Sequence, residues 1–304
     1  MPIIYRGKRQ LKVRVLGLAL GVAAAAALCW LAWTVGRPAP EPPPPGQSLP
    51  KEKSPAPLPE QDPSSPAETY DFTRPAPERA PVDNSYFQNA AFVGDSRTDG
   101  FLIYSGIGTG KNLTSNGLSI FKLEEKKALT IDGEKYTLLE ALALEQYSQV
   151  YLSLGVNELG YYNDAGFYQS YCAAIDHIRR LQPQAVIYIQ GLIPLNEGQI
   201  VAANGNKYNL TNDHLRVYND LMRQAAEEKQ AVFLDLYTEF VDENGELPAE
   251  GSHDGVHLSA EYCRRWLEYL KAHTVEFDTL YPDGPPPVEE PEAETVQPEG
   301  SGEE

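Results

Sequence analysis

The sequence predicts an α/β domain built around a central parallel sheet, and three observations predict it. Short apolar runs, Ala90 to Val93, Val150 to Leu154, Ala185 to Ile193 and Ala231 to Leu236, read as buried strands. Segments of helical periodicity, Phe167 to Leu181, Asn212 to Lys229 and Ala260 to His273, alternate with the later runs, and such alternation builds βαβ units. Two of the strands run into glycine turns at Gly94 and Gly155, and the C-terminal edge of an open α/β sheet is where ligands bind.

The elements follow in chain order. Residues 1–14 are basic, and residues 15–35 form an apolar run of about 21 residues, long enough for one transmembrane helix. The bases Arg6, Lys8, Arg9, Lys12 and Arg14 precede the run, so the positive-inside bias keeps the N-terminus in the cytoplasm and sends the remainder across. Trp30 and Trp33 stand near its outer end as interfacial anchors. A cleaved signal peptide is the competing reading, but the run is long for one and no small-x-small site follows it. Bulky Leu28 before Cys29 argues against a lipoprotein signal.

Residues 36–83 are rich in Pro, Glu, Ser and Gln, cannot bury enough apolar surface to fold, and are expected to be a disordered, extended linker. Residues 84–281 are the globular domain, with a hairpin expected around Asp132-Gly133. Residues 282–304 are an acidic disordered tail. The net charge is −18; the first 37 residues hold six bases and no acid, leaving 19 bases against 43 acids. Such an acidic exterior argues against nucleic acid as a partner. Cys172 and Cys263 fall on two expected helices and read as buried free thiols, a disulfide being the alternative.

The chemistry is concentrated at three strand ends. Gly94-Asp95-Ser96 follows the first strand, where Gly94 is expected to supply backbone freedom for a turn that exposes Ser96. A serine hydroxyl needs a base, an orienting acid and oxyanion donors before it acts as a nucleophile. Read alone, the stretch is a strand-to-helix turn with Ser96 as helix N-cap. Asn157, in Gly155-Val156-Asn157-Glu158, would stand on the same edge and offer its amide to an oxyanion. Asp254 and His257, three apart on the loop before the last helix, let the carboxylate hold the imidazole while its other nitrogen faces Ser96. The competing use of His253 and His257 as a metal pair lacks further ligands nearby. No cofactor or metal is implied.

These three blocks, in this order and spacing, resemble the GDSL/SGNH hydrolase family over about Phe87 to His273. The resemblance implies a flavodoxin-like three-layer α/β/α sandwich, Ser96 as nucleophile, His257 as base and Asp254 as third member. It also implies an oxyanion hole from the Ser96 amide, the Asn157 side chain and a glycine amide, for which Gly117 is the candidate. Two departures are Arg97, where the family has leucine, and Glu158, where aspartate is commoner. Arg97 is expected to pair with Asp99 or another surface acid, or to bind an anionic substrate group. His177, His214 and His273 lie on helices without evident partners and read as structural.

The expectation is an extracytoplasmic, membrane-anchored serine esterase acting on short acyl esters of a cell-envelope glycan. Its partners are then an acylated carbohydrate or other ester, and the membrane. Asn196, Glu197, Gln199, Asn204, Asn206 and Tyr208 after the fourth strand, with Tyr161, Tyr162 and Tyr168, suit sugar hydroxyls and ring faces. The alternatives are an O-acyltransferase with the same residues, a lysophospholipase or lipase, and a non-catalytic envelope-binding module.

Overall fold

The computed structural model describes residues 70–288. The expected transmembrane run, most of the linker and the end of the acidic tail lie outside them. Among the described residues, no helix is long and apolar enough to cross a membrane.

The strands are β1 (Ala90–Gly94), β2 (Lys111–Thr114), β3 (Leu129–Ile131), β4 (Glu134–Tyr136), β5 (Gln149–Ser153), β6 (Val186–Gln190) and β7 (Val232–Leu234). Five form one parallel sheet in the order β2-β1-β5-β6-β7, while β3 and β4 pair as the expected hairpin. Counted without the hairpin, the order is 2-1-3-4-5, a doubly wound arrangement with a switch point beside β1. The helices are α1 (Ser96–Tyr104), α2 (Leu138–Leu142), α3 (Asp164–Leu181), α4 (Glu197–Asn204), α5 (Asn212–Glu228), α6 (Leu236–Phe240), α7 (Ala260–Ala272) and α8 (Phe277–Leu280).

Alternation along the strands divides the core in two. Ala91, Val93, Val150, Leu152, Ile187 and Ile189 face a cluster with Phe167, Tyr171 and Ile175 of α3 and Leu215, Tyr218 and Met222 of α5. Ala90, Phe92, Tyr151, Val186, Tyr188 and Val232 face Phe101 of α1 and Trp266 and Leu270 of α7. Both faces are covered, so the central strands read as continuous apolar runs. On the second face Phe92, Tyr151 and Tyr188 stack in a row across β1, β5 and β6, with ring centroids 4.9 and 4.6 Å apart.

The helix signals are local. Asn163 caps α3 by accepting from the Gly166 amide, Asp164 complements its N-terminus, and Arg179 and Arg180 lie in its last turn. Phe167, Tyr171, Ala174, Ile175 and Ile178 form its buried stripe. Cys172 and Cys263 are buried and free.

Three expectations require correction. Strand β2 was absent from the sequence reading because Lys-Asn-Leu-Thr carries one apolar residue; it is an edge strand with only Leu113 buried. The segment after β6 contains helix α4, which Asn196 caps and Gly205 ends in the left-handed conformation. Residues 70–83, assigned to the linker, are packed: Ala76 is buried and its amide donates to the Phe233 carbonyl on the outer edge of β7. A proline-flanked stretch that needs one amide for pairing has linker composition yet can cover a sheet edge.

Candidate active site

Ser96 is the first residue of α1, directly after the C-terminal end of β1, and Asp95 rather than Ser96 is the N-cap. Asp95 accepts from the Arg97 amide at 2.9 Å, which leaves the Ser96 hydroxyl free to face the opposite loop. Gly94 does not have a positive φ, so its role differs from the one expected. A Cβ there would lie 2.2 Å from Thr98 Oγ1 and 2.8 Å from the Ser153 carbonyl, so only glycine lets α1 turn back so close to the sheet.

The histidine loop is folded by its own polar side chains. Asp254 Oδ1 accepts from the Val256 and His257 amides at 2.9 and 2.8 Å, and Ser252 Oγ donates to the His257 carbonyl at 2.7 Å. Gly255, at φ +83°, sits where a Cβ would strike the Asn196 carbonyl at 2.3 Å. His257 Nδ1 lies 2.7 Å from Asp254 Oδ2, and Nε2 lies 2.9 Å from Ser96 Oγ. A carboxylate can only accept, so Nδ1 carries the proton and Nε2 presents its lone pair to the serine hydroxyl, which donates. Burial alone would raise the Asp254 pKa, but hydrogen bonds from the His257 ring and the two amides outweigh it and hold the group at about 2. The structure thus joins Ser96, His257 and Asp254 in one hydrogen-bonded chain.

Asn157 and Gly117 lie on two loops beside that chain. Asn157 Nδ2 donates to Asp95 Oδ2 at 2.9 Å and to the Leu118 carbonyl at 3.1 Å. Gly117, at φ +69°, is exposed in the turn Ser115 to Leu118, whose Ser115 amide bonds the Gly94 carbonyl at the end of β1. Glu158 is fully buried and accepts from the Ile120 amide. Consecutive residues 157 and 158 therefore clamp the 117–120 loop from one side. Burial lifts Glu158 to about 7, with the Asp95 charge adding to the effect and the Ile120 amide opposing it. Burial likewise lifts Asp95 to about 6, against the Arg97 amide, the Arg97 charge and His257.

Several expected roles change. Arg97 does not pair with Asp99, whose carboxylate accepts from Asn112. It is buried beneath the site, donates to the Ile193 carbonyl at 2.9 Å, and lies in the fields of Asp95 and Asp254. Burial lowers its pKa to about 10. The three helical histidines have partners: His214 sits between the Leu159 carbonyl at 2.6 Å and Asp164 at 2.8 Å, His177 meets Glu124, and His273 meets the Tyr269 carbonyl. The amides assigned to sugar binding are largely engaged: Asn196 with Leu247, Gln199 with Ala249 and Ser252, Asn206 with Leu210. Tyr168 reaches Glu228 on α5, away from the sheet edge, whereas Tyr161, Tyr162 and Tyr208 are exposed.

Sequence reading missed Ser252, Tyr218 and the partners of Glu158 and of His214, which is structural as expected. Their signal is a polar residue on an otherwise apolar face: His214 and Tyr218 lie among Leu215 and Met222 on α5.

The profile of the GDSL-like Lipase/Acylhydrolase family matches residues 92–265, more than half of the chain. Among solved structures, a protein of Streptococcus pneumonia provisionally described as a platelet activating factor is similar at 21% identity and a TM-score of 0.50, over 62% of this chain and 83% of that one. A GDSL-like lipase from Bacteroides thetaiotaomicron VPI-5482 is similar at 14% identity and a TM-score of 0.44, over 62% of this chain and 87% of that one. A peptidoglycan O-acetylesterase is similar at 21% identity and a TM-score of 0.40, over 55% of this chain and 46% of that one. None of the curated proteins is similar enough to the chain to count as a match. The family match covers the nucleophile turn, the Asn157 turn and the histidine loop together, and the chain belongs to the GDSL-like lipase/acylhydrolase family, as a hydrolase of ester bonds.

Proposed function

We propose that the protein is a membrane-anchored, extracytoplasmic esterase that removes short, acetyl-type acyl groups from a cell-envelope glycan. Ser96 Oγ attacks the ester carbonyl carbon while its proton passes to His257 Nε2, and Asp254 stabilises the imidazolium through Nδ1. The carbonyl oxygen becomes an oxyanion facing the Ser96 amide, the Gly117 amide and the Asn157 side chain. The Ser96 amide is at the N-terminus of α1, where it has no intrahelical partner and the helix dipole favours negative charge. Asn157 supplies the hydrogen now on the Leu118 carbonyl, the longer of its two bonds. On collapse the C–O bond to the sugar breaks, His257 returns the proton to the leaving oxygen, and the acyl group stays on Ser96. Water, deprotonated by His257, then adds to the acyl carbon, and Ser96 leaves with that proton as the acid is released.

The observation that carries this reading is the openness of the site: the side chains of His257 and Asp254 are 51% and 47% exposed. A long acyl chain requires an enclosing apolar groove, whereas a small acyl group on a bulky hydrophilic alcohol needs open access. The placement of the chain ends supports the same reading. Phe72 stacks on Tyr281, and Tyr281 bonds the Gln230 carbonyl just before β7, so both ends of the described domain sit at the N-terminal end of the sheet. The Ser96 edge lies at the opposite end of the sheet, clear of the chain that enters and leaves the domain.

Nitrophenyl esters from acetyl to octanoyl test the proposal, together with acetate release from O-acetylated wall polysaccharide. Turnover is expected to fall steeply with chain length, with acetate released. Preference for octanoyl without acetate release would overturn it in favour of lipolysis, and a new acylated sugar in place of free acetate would overturn it in favour of transfer.

A further inference from the structure

One cavity beside the site is not used by the mechanism. It has a volume of about 370 Å³ and is lined by Ser119, Phe121, Lys122, Tyr161 and Asn163. Its two walls continue the two loops already described: Ser119 follows Leu118, whose carbonyl holds Asn157, and Tyr161 ends the 156–161 turn that begins beside Asn157. A ligand seated there lies alongside the loops that carry Gly117 and Asn157.

The cavity has an aromatic corner. Phe121 and Tyr161 meet at an interplanar angle of 68° with centroids 6.4 Å apart, and Tyr161 is 69% exposed. The other exposed tyrosines of this edge are engaged on their faces, Tyr162 stacked on His214 and Tyr208 carrying the Lys207 ammonium. A Cβ on Gly160 would strike the Tyr208 carbonyl at 2.2 Å, so the Tyr208 loop lies directly against the Tyr161 loop and extends the rim. The remaining lining is polar: a hydroxyl, the Asn163 amide, and Lys122 neutralised by Glu125 at 2.7 Å.

We infer that this corner is a binding subsite for a pyranose ring of a neutral glycan chain, whose acylated residue then reaches Ser96. The aliphatic face of a sugar ring packs on an aromatic face while its hydroxyls reach flanking polar groups. The hydroxyl and amide beside the rings offer partners that sugar hydroxyls can use and an acyl chain cannot, and a net charge of −18 disfavours a polyanion. The inference rests on the glycan-ester reading but concerns binding, which can be measured without turnover.

The test is calorimetric titration of chitohexaose, which carries no ester, into the full-length Ser96→Ala protein. Adding Tyr161→Ala is expected to weaken binding about five- to tenfold, the scale of one aromatic contact. Tyr161→Trp should retain the affinity, and Tyr104→Ala, which removes an exposed ring at the end of α1, should leave it unchanged. Melting temperatures of each variant separate lost binding from lost folding. Equal affinity with and without the Tyr161 ring overturns the inference, as does a cavity that takes dodecanoate and no sugar. If the wild type releases acetate from a glycan but Tyr161 is indifferent, the subsite alone fails. If chitohexaose binds through Tyr161 but no acylated glycan is hydrolysed, the subsite stands and the substrate assignment fails.

Discussion

At the scale of single residues, the site depends on groups that act as one unit. Ser96→Ala and His257→Ala should each lower nitrophenyl acetate turnover by several orders of magnitude. Asp254→Asn should cost about 10⁴-fold by permitting the wrong imidazole tautomer. Steady-state kinetics on folded protein check this, and wild-type turnover by the His257 variant would remove it from the mechanism. Asn157→Ala should lower the rate ~10²–10³-fold. The structure adds that its melting temperature falls too, because Asp95 and the Leu118 carbonyl each lose a donor. A stability loss without a rate defect larger than the unfolded fraction explains would make Asn157 a turn residue only.

At the scale of elements, the loops around Ser96 are held by carboxyls with opposite pH dependences, two of them buried. Glu158 is raised from 4.5 to about 7 and Asp95 from 3.8 to about 6, so the folded state binds protons more tightly than the unfolded. Their contribution to stability is therefore greatest in mild acid and declines as the pH rises through roughly 4 to 7. Asp254, held at about 2, behaves oppositely and stabilises above about pH 4. Glu158→Gln keeps an acceptor for the Ile120 amide and removes the buried charge. It should raise the melting temperature by about 2–4 °C at pH 8, the scale of about 1 kcal/mol in a domain of this size, and leave it unchanged at pH 4. Glu158→Ala should lower it at both, since the amide then loses its acceptor. Thermal unfolding at the two pH values decides; a Gln variant less stable at pH 8 than the wild type refutes the burial argument. The same element view explains why α4 escaped the sequence reading although its Asn196 and Gly205 signals were present. Its amides read as ligand-binding groups because their structural partners lie on loops far along the chain, such as Leu247 and Ser252.

At the scale of the whole molecule, the basic N-terminus and the apolar run after it predict a tethered domain outside the cytoplasm. Protease added to intact cells or spheroplasts should release the domain by cutting within the proline-rich segment. Protection from protease, or free protein without cleavage, would refute the orientation or the anchor. The cut should fall before Tyr70, because residues 70–83 are fastened to β7 and to the end of α7 through the Ala76, Arg79 and Val82 amides.

What the sequence by itself determined about this protein was local: four apolar strand runs, the glycine turns beyond two of them where Ser96 and Asn157 stand, and the three-residue spacing of Asp254 and His257 on the loop before α7. Those features depend on apolar periodicity, turn chemistry and short spacing, which neighbouring residues specify. Tertiary structure alone decided what depends on residues far apart in the chain. Gly94 is needed because Ser153 lies 2.8 Å from where its Cβ would be, Arg97 turns inward to Ile193, and Glu158 holds Ile120. It also made an edge strand of Lys111–Thr114, since pairing with β1 supplies the hydrogen bonds that its composition does not announce. A buried polar group is stable only where a distant partner meets it, and that partner is defined by packing, not by the local sequence.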